Sequence, residues 1–280
     1  MTLPSSIAGR AVTSTARVSG GDINNAHRVI LDDGTVAFVK TRADPGPGEY
    51  ATEAAALRWL AEPAALPVPE VIDVGDDFLA LEWLEEGGRV DEEELGRGLA
   101  RIHAVGAKRI GAAPPGAPVE DLRIGPLVFD DEPSDDWPAF YAERRLLALL
   151  DRASLGASGR AAVEAVCSHI HDLAGPQEPP ARLHGDLWSG NVLASGGRPY
   201  LIDPAAYGGH REIDLAMLRL FGGVGGPSSR FLAAYEEVAP LSEGHEERVQ
   251  LYQLFPLLVH AALFGGGYAQ SVERAAERYL

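Results

Sequence analysis

HGDLWSGN, running from His184 to Asn191, is followed after two β-leaning stretches by LIDP, Leu201 to Pro204. The intervening NVLAS and PYLID read as short strands joined by a Gly-Gly turn, in a region that is otherwise helical. Four residues separate Asp186 from Asn191, and Asp203 lies twelve beyond Asn191. A turn between the strands can therefore bring Asn191 and Asp203 to one point. That set suits in-line transfer of a phosphoryl group, which needs a carboxylate at the acceptor hydroxyl and oxygen ligands holding Mg²⁺ on the phosphates. Asp186 is the candidate to orient the hydroxyl and accept its proton, and Asn191 and Asp203 are the candidate metal ligands. Either half alone also fits a bland reading: an Asp in a turn, a capping Asn and an Asp ending a strand.

The spacing D-x-x-x-x-N with a later Asp resembles the catalytic loop of protein kinases. That architecture also needs a strand-borne Lys on the nucleotide phosphates and a helix-borne Glu to hold it. Lys40 ends the β-leaning run VAFVK and is one of only two lysines, the other being Lys108. After the breaker cluster DPGPG, EYATEAAALRWLA is an alanine-rich run of high helix propensity, stopped by Pro63 and Pro67. Glu53, Leu57 and Leu60 fall on one face of it. A Glu on an apolar face needs a partner, which makes Glu53 the candidate for Lys40. Glu49, one turn earlier, is the rival, or simply a charge at the helix start.

The first 84 residues read as strands around this helix: Ala16 to Val18, Ala26 to Leu31, Val36 to Lys40, PEVIDVG and FLALEWL. Residues 85–89, EEGGR, are a polar break and the candidate hinge or linker. Residues 90–280 read as a larger, mainly helical lobe. Asp91 and Glu94 make a capping-box-like start, followed by an apolar stripe of Leu95, Leu99 and Ile102. Gly111 to Pro138 reads as mostly loop, Ala139–Ala153 and Ser158–Leu173 as helices, and helices resume at Ile213. The expected fold is α+β and bilobal, a small antiparallel sheet with one helix beside a helical lobe.

Composition bounds the partners. With 41 acidic and 24 basic residues the net charge is −17, which argues against nucleic acid and against a polybasic grip on a membrane. Cys167 is the only cysteine, so neither an internal disulfide nor a cysteine zinc cage is available. MTLPSSIAGR lacks the pattern of a secretory signal, and Leu254 to Phe264 is too short to span a bilayer, so a cytoplasmic protein is expected.

HGDLWSGN, LIDPAAYGGHREIDLAM, the early SGGDINNAHRV and the VAFVK-plus-helix segment together resemble the fructosamine kinase (ketosamine-3-kinase) family. That family lies in the aminoglycoside-phosphotransferase-like branch of the protein-kinase fold. The similarity runs from about Ser19 to the C-terminal helices. It implies ATP- and Mg²⁺-dependent phosphorylation of O3 of a ketosamine, a sugar adduct of glucose or ribose on a small amine or a protein. The product sheds its sugar and glycation is reversed. The resemblance implies Asp186 as base, Asn191 and Asp203 as metal ligands, and Lys40 with Glu53 as the phosphate-anchoring pair. It further implies Glu82, Trp83 and Leu84 as the hinge holding adenine, Trp188 as a wall of the sugar pocket, and Asp214 as a structural brace. Gly185 stands where protein kinases carry Arg, Asp-Pro replaces Asp-Phe-Gly, and SGGDINN lacks a spaced glycine triplet.

Other motifs give little. GPGEYA, Gly46 to Ala51, superficially fits a dinucleotide fingerprint, but Pro45 and Pro47 disturb the turn and a helix lead-in fits better. Gly-Lys of a Walker A loop and a G-x-S-x-G elbow are both absent. His169 and His171 do not share a helix face, and Gly265–Gly267 reads as a helix break. Two further readings stay open: a kinase of another small alcohol (aminoglycoside, choline or homoserine) and a kinase-like nucleotide binder without turnover. The acidic net charge favours a neutral sugar on a cationic amine over an anionic acceptor.

Overall fold

The computed structural model describes residues 3–18, 24–222 and 229–280. The chain opens with six strands, β1 (Ser6–Ile7), β2 (Arg10–Val18), β3 (Asn25–Leu31), β4 (Val36–Thr41), β5 (Val71–Val74) and β6 (Phe78–Glu82). They form one antiparallel sheet in the order β1-β2-β3-β4-β6-β5. Val29, Leu31, Ala37, Val39 and Ala80 build its inner face around Ile7. β2 begins six residues earlier than Ala16 because most of its side chains face solvent, leaving no apolar alternation to read. The start of the SGGDINN loop, residues 19–23, lies outside the described residues.

Helix α1 (Glu49–Ala61) crosses this sheet. Tyr50, Ala54 and Leu57 pack on Leu79 and Leu81. Leu60, at the other end, joins Leu66 and, from the second lobe, Leu99, Leu187 and Leu201. Burying a leucine this fully is worth roughly 1.5–3 kcal/mol, so α1 is shared property of both lobes. Arg182 strengthens the contact: it donates to Trp59 O and to Glu62 Oε2 at 2.8 Å, and its guanidinium lies 4.7 Å over the Trp59 ring.

From Glu82 the chain crosses to the second lobe past Ala194 and Ser195. Gly87 N donates to Ala194 O at 2.9 Å and Ser195 Oγ to Glu85 O at 2.9 Å. Helix α2 (Glu92–Val105) is capped by Asp91, whose carboxylate accepts from the Glu93 and Glu94 N–H groups. The reciprocal half of the capping box is replaced: Glu94 instead accepts from Arg198 at 2.9 Å. Leu95, Leu99 and Ile102 are fully buried, as the stripe predicts.

The passage from Gly111 to Pro138 is not all loop. It contains a hairpin of β7 (Leu122–Ile124) and β8 (Leu127–Phe129), whose three-residue strands are too short for periodicity to register. Next come α3 (Trp137–Phe140), a π-helical turn at Tyr141–Leu146 and a 3₁₀ turn at Leu147–Leu149, so Ala139–Ala153 is not one regular helix. The π turn carries the fully buried Arg145 to within 2.7 Å of Asp131. The run Ser158–Leu173 is also broken, at His169, into α4 (Ala157–Ser168) and α5 (Ile170–Leu173).

Two small ladders follow. β9 (Ala181–Leu183) pairs with β12 (Tyr207–Gly209), and β10 (Val192–Ser195) pairs with β11 (Arg198–Leu201). Helices α6 (Glu212–Leu218), α7 (Arg230–Glu236), α8 (His245–Phe264) and α9 (Tyr268–Glu277) complete the lobe. The Gly265–Gly267 run breaks α8 from α9, with Gly265 at φ 64°. Among the described residues no helix is long and apolar enough to cross a membrane.

Candidate active site

A cleft of about 1120 Å³ lies between the lobes, and every residue singled out for chemistry lines it. From the sheet come Lys40 on β4 and Glu82, Trp83 and Leu84 at the end of β6. Glu53 enters from α1, and Asp186, Trp188, Asn191 and Asp203 from the two small ladders and their loops.

Lys40 settles the choice between the two glutamates. Its Nζ donates to Glu53 Oε1 at 2.7 Å and to Asp203 Oδ1 at 2.6 Å. Glu49 instead pairs with Arg42 and accepts from Gly46 N at 2.9 Å. Burial pulls the Lys40 ammonium down, but Asp203 and Glu53 outweigh it and hold the group above its ordinary value. Burial pushes Glu53 up against the pull of Lys40. The ammonium is thus permanently charged and fixed, with its stem buried.

The loop that follows β9 is set by its own backbone. β9 and β12 clamp its two ends, and Ala205 N donates to His184 O at 3.0 Å. Gly185 sits at φ 81°, and a Cβ there would lie 1.9 Å from Ala205 O. This explains why an Arg cannot occupy the position: neither the left-handed backbone nor the approach of residue 205 admits a side chain. Gly185→Ala is expected to lower unfolding free energy by at least about 2 kcal/mol, or to shift the loop and cut turnover. Denaturant melts with kinetics decide; an unchanged midpoint and unchanged kcat overturn the packing.

Asp214, at the start of α6, braces the loop. It accepts from His184 N at 2.7 Å and Gly185 N at 2.9 Å and contacts His103 Nε2 at 3.2 Å. Burial alone would push its carboxyl up; His103 and the main-chain donors hold it below the usual range. His184 is packed inside, its Nε2 donating to Ile202 O at 2.9 Å. The bracing role expected of Asp214 matches this geometry. His103 on α2 was not legible beforehand, since nothing in its own stretch marks it.

Asn191 Nδ2 donates to Asp186 O at 2.8 Å and to Asp186 Oδ2 at 3.1 Å. Its amide is thereby oriented, and Oδ1 accepts no hydrogen bond from the described residues. Burial, helped by the neighbouring Asp203 charge, pushes the Asp186 carboxyl up to about 7, against the Asn191 hydrogen bond. Asp203 itself holds a left-handed backbone at φ 55°, a strained placement for a residue with a side chain. Its side chain is 43% exposed, with Oδ1 taken by Lys40. Asn191 Oδ1 and the Asp203 carboxylate are hard oxygen donors of the kind Mg²⁺ takes. Trp188 is 38% exposed, its indole lying where a Cβ on Gly190 would come within 2.2 Å.

Just past β6, the Phe38 and Trp83 ring centroids are 6.5 Å apart and the Arg28 guanidinium lies 5.3 Å over the Trp83 ring. Trp83 Nε1 donates to Glu85 Oε1 at 2.8 Å. Cys167 stays out of the chemistry, in α4, its thiol pushed by burial up to about 12.

A two-lobed protein-kinase-like fold with these polar groups facing one cleft defines an ATP-dependent small-molecule kinase. Comparison with known proteins makes the class narrower. The family model for fructosamine kinase matches residues 4–280. A probable ketoamine kinase of Thermus thermophilus is 39% identical over 259 residues, covering 91% of this chain and 90% of that protein. A crystal structure from Thermobifida fusca YX-ER1, bearing the name of a fructosamine-3-kinase, superposes with a TM-score of 0.88. It is 43% identical, with 97% of this chain and 95% of that chain covered. The macrolide 2'-phosphotransferase MphH of Brachybacterium faecium, 19% identical, shares the fold alone, with a TM-score of 0.64 over 96% and 94% of the two chains. The chain belongs to the fructosamine kinase family.

Proposed function

We propose that this chain transfers the γ-phosphoryl group of ATP to a sugar hydroxyl, O3, of a ketosamine, in a Mg²⁺-dependent reaction. The observation that carries the reading is the convergence of Asp186, Asn191 and the Lys40–Glu53–Asp203 chain on one cleft, in a member of this family. Residues 1–84 form the nucleotide lobe, 85–89 the linker and 90–280 the acceptor lobe. Main-chain groups of Glu82, Trp83 and Leu84 hold the adenine. Lys40, kept in place by Glu53, grips the phosphates as a point charge.

Asp186 orients the acceptor hydroxyl and takes its proton as the new O–P bond forms and the bond to ADP breaks. A carboxyl raised toward neutrality by burial is a stronger base than an exposed one, which suits a hydroxyl acceptor. Asn191 and Asp203 would hold a Mg²⁺ ion, which would supply charge neutralisation at the phosphates. Trp188 offers an apolar face for the sugar ring. The acceptor is a free ketosamine or the same group on a glycated protein, and the activity belongs in the cytoplasm, where ATP is supplied.

The test is direct. Purified protein with a fructosyl-amine or ribulosyl-amine, ATP and Mg²⁺ is expected to yield a sugar phosphate, and chelation of the metal to abolish it. A panel including an aminoglycoside, choline and homoserine runs alongside. Phosphorylation of one of these, with none of either ketosamine, overturns the substrate assignment.

A further inference from the structure

Beyond Trp188 the cleft wall is aromatic. The Phe221 ring stands edge-on to Trp188, centroids 6.4 Å apart, and lies 4.9 Å from His260. His260 in turn lies 5.6 Å from Phe264 and 5.1 Å from Tyr268. All five line the same cleft as Asp186. Core rings are covered, but Phe221 is 46% and Phe264 52% exposed. Phe221 also sits at φ 55°, which is costly for a bulky residue. Exposed rings converging on a functional cleft are a recognition surface rather than core packing.

The wall's electrostatics select its ligand. Ring faces carry negative quadrupole density and attract cations. His260 Nδ1 donates to Pro256 O at 2.8 Å, and burial lowers its pKa, so the ring is neutral at pH 7 and adds no positive charge. The basic residues lining the described cleft, Lys40 and Arg123, stand on β4 and β7, not on the elements that form the wall. With a net charge of −17 the whole chain adds an attractive field.

We infer that Phe221, His260, Phe264 and Tyr268, with Trp188, form a subsite for the protonated amine of the ketosamine and the first carbons of its substituent. The inference rests on the ketosamine reading above. Asp186 addresses the sugar, and the wall tells a sugar on a cationic amine from the same sugar on a neutral atom.

The experiment compares a fructosyl-alkylamine with the uncharged ether in which oxygen replaces its nitrogen. The wild type is expected to prefer the amine. Tyr268→Leu and Phe264→Ala should each lower kcat/KM for the amine about five- to twentyfold through KM. Activity on the ether, which keeps only the carbon contacts, should fall much less than activity on the amine, KM for ATP should hardly move, and Tyr268→Phe should retain the preference. Phe264 is exposed enough for truncation to be tolerated, and a thermal melt checks folding. Equal losses on both compounds, or no loss on the amine, overturn the wall's role alone. Failure of the wild type to phosphorylate either compound overturns the ketosamine reading and the subsite together.

Discussion

Asp186→Asn is expected to lower kcat by about a hundred- to ten-thousandfold, while nucleotide affinity stays within about threefold. The substitution keeps shape and an oxygen able to accept from Asn191 Nδ2, now 3.1 Å from Asp186 Oδ2. It removes the capacity to take a proton. Folding should not suffer: burial pushes this carboxyl up to about 7, so the native state gains little from its charge. The melting temperature of the variant should equal or exceed that of the wild type. Loss of turnover with intact nucleotide binding and an unchanged melt isolates the chemical step. Near-wild-type kcat on the preferred ketosamine removes Asp186 from the reaction.

The sequence marked the residues of the candidate site better than it marked the small elements around it. Asp186, Asn191 and Asp203 were legible because a local loop and one hairpin set their relation. Lys40 and Glu53 were legible because a lysine was rare and a glutamate stood on an apolar face. Their meeting with Asp203, 163 residues from Lys40 along the chain, depends on how the lobes pack, and no local pattern encodes that. The β9–β12 ladder escaped notice because three-residue strands have no readable period. Arg182 and His103 were missed for a related reason: each acts on a partner far away in sequence, Glu62 and Asp214. The aromatic wall left a faint signal, His260, Phe264 and Tyr268 at steps of four, but the glycine break between α8 and α9 interrupts it.

Lys40→Met should produce the other large effect, and its physics differs from that of Asp186. Lys40 Nζ lies 2.7 Å from Glu53 and 2.6 Å from Asp203. Without it, two carboxylates face each other with no cation between them. Leaving a buried charge unpaired costs about 3–5 kcal/mol, but here about 1–3 kcal/mol is expected. Asp203 is nearly half exposed, and Glu53 can escape by taking up a proton, since burial already pushes its pKa up. Glu53→Gln added to Lys40→Met should therefore restore most of the lost stability, because the only carboxylate then left without its cation is the nearly half-exposed Asp203. Activity should not return. With no ammonium on the phosphates, kcat/KM for ATP should stay at least about a hundredfold down in both the single and the double variant. Stability and catalysis thus separate in one cycle, read by denaturant unfolding and steady-state kinetics. Recovery of turnover with recovery of stability makes the pair a structural strut, and the phosphate grip then belongs elsewhere in the cleft.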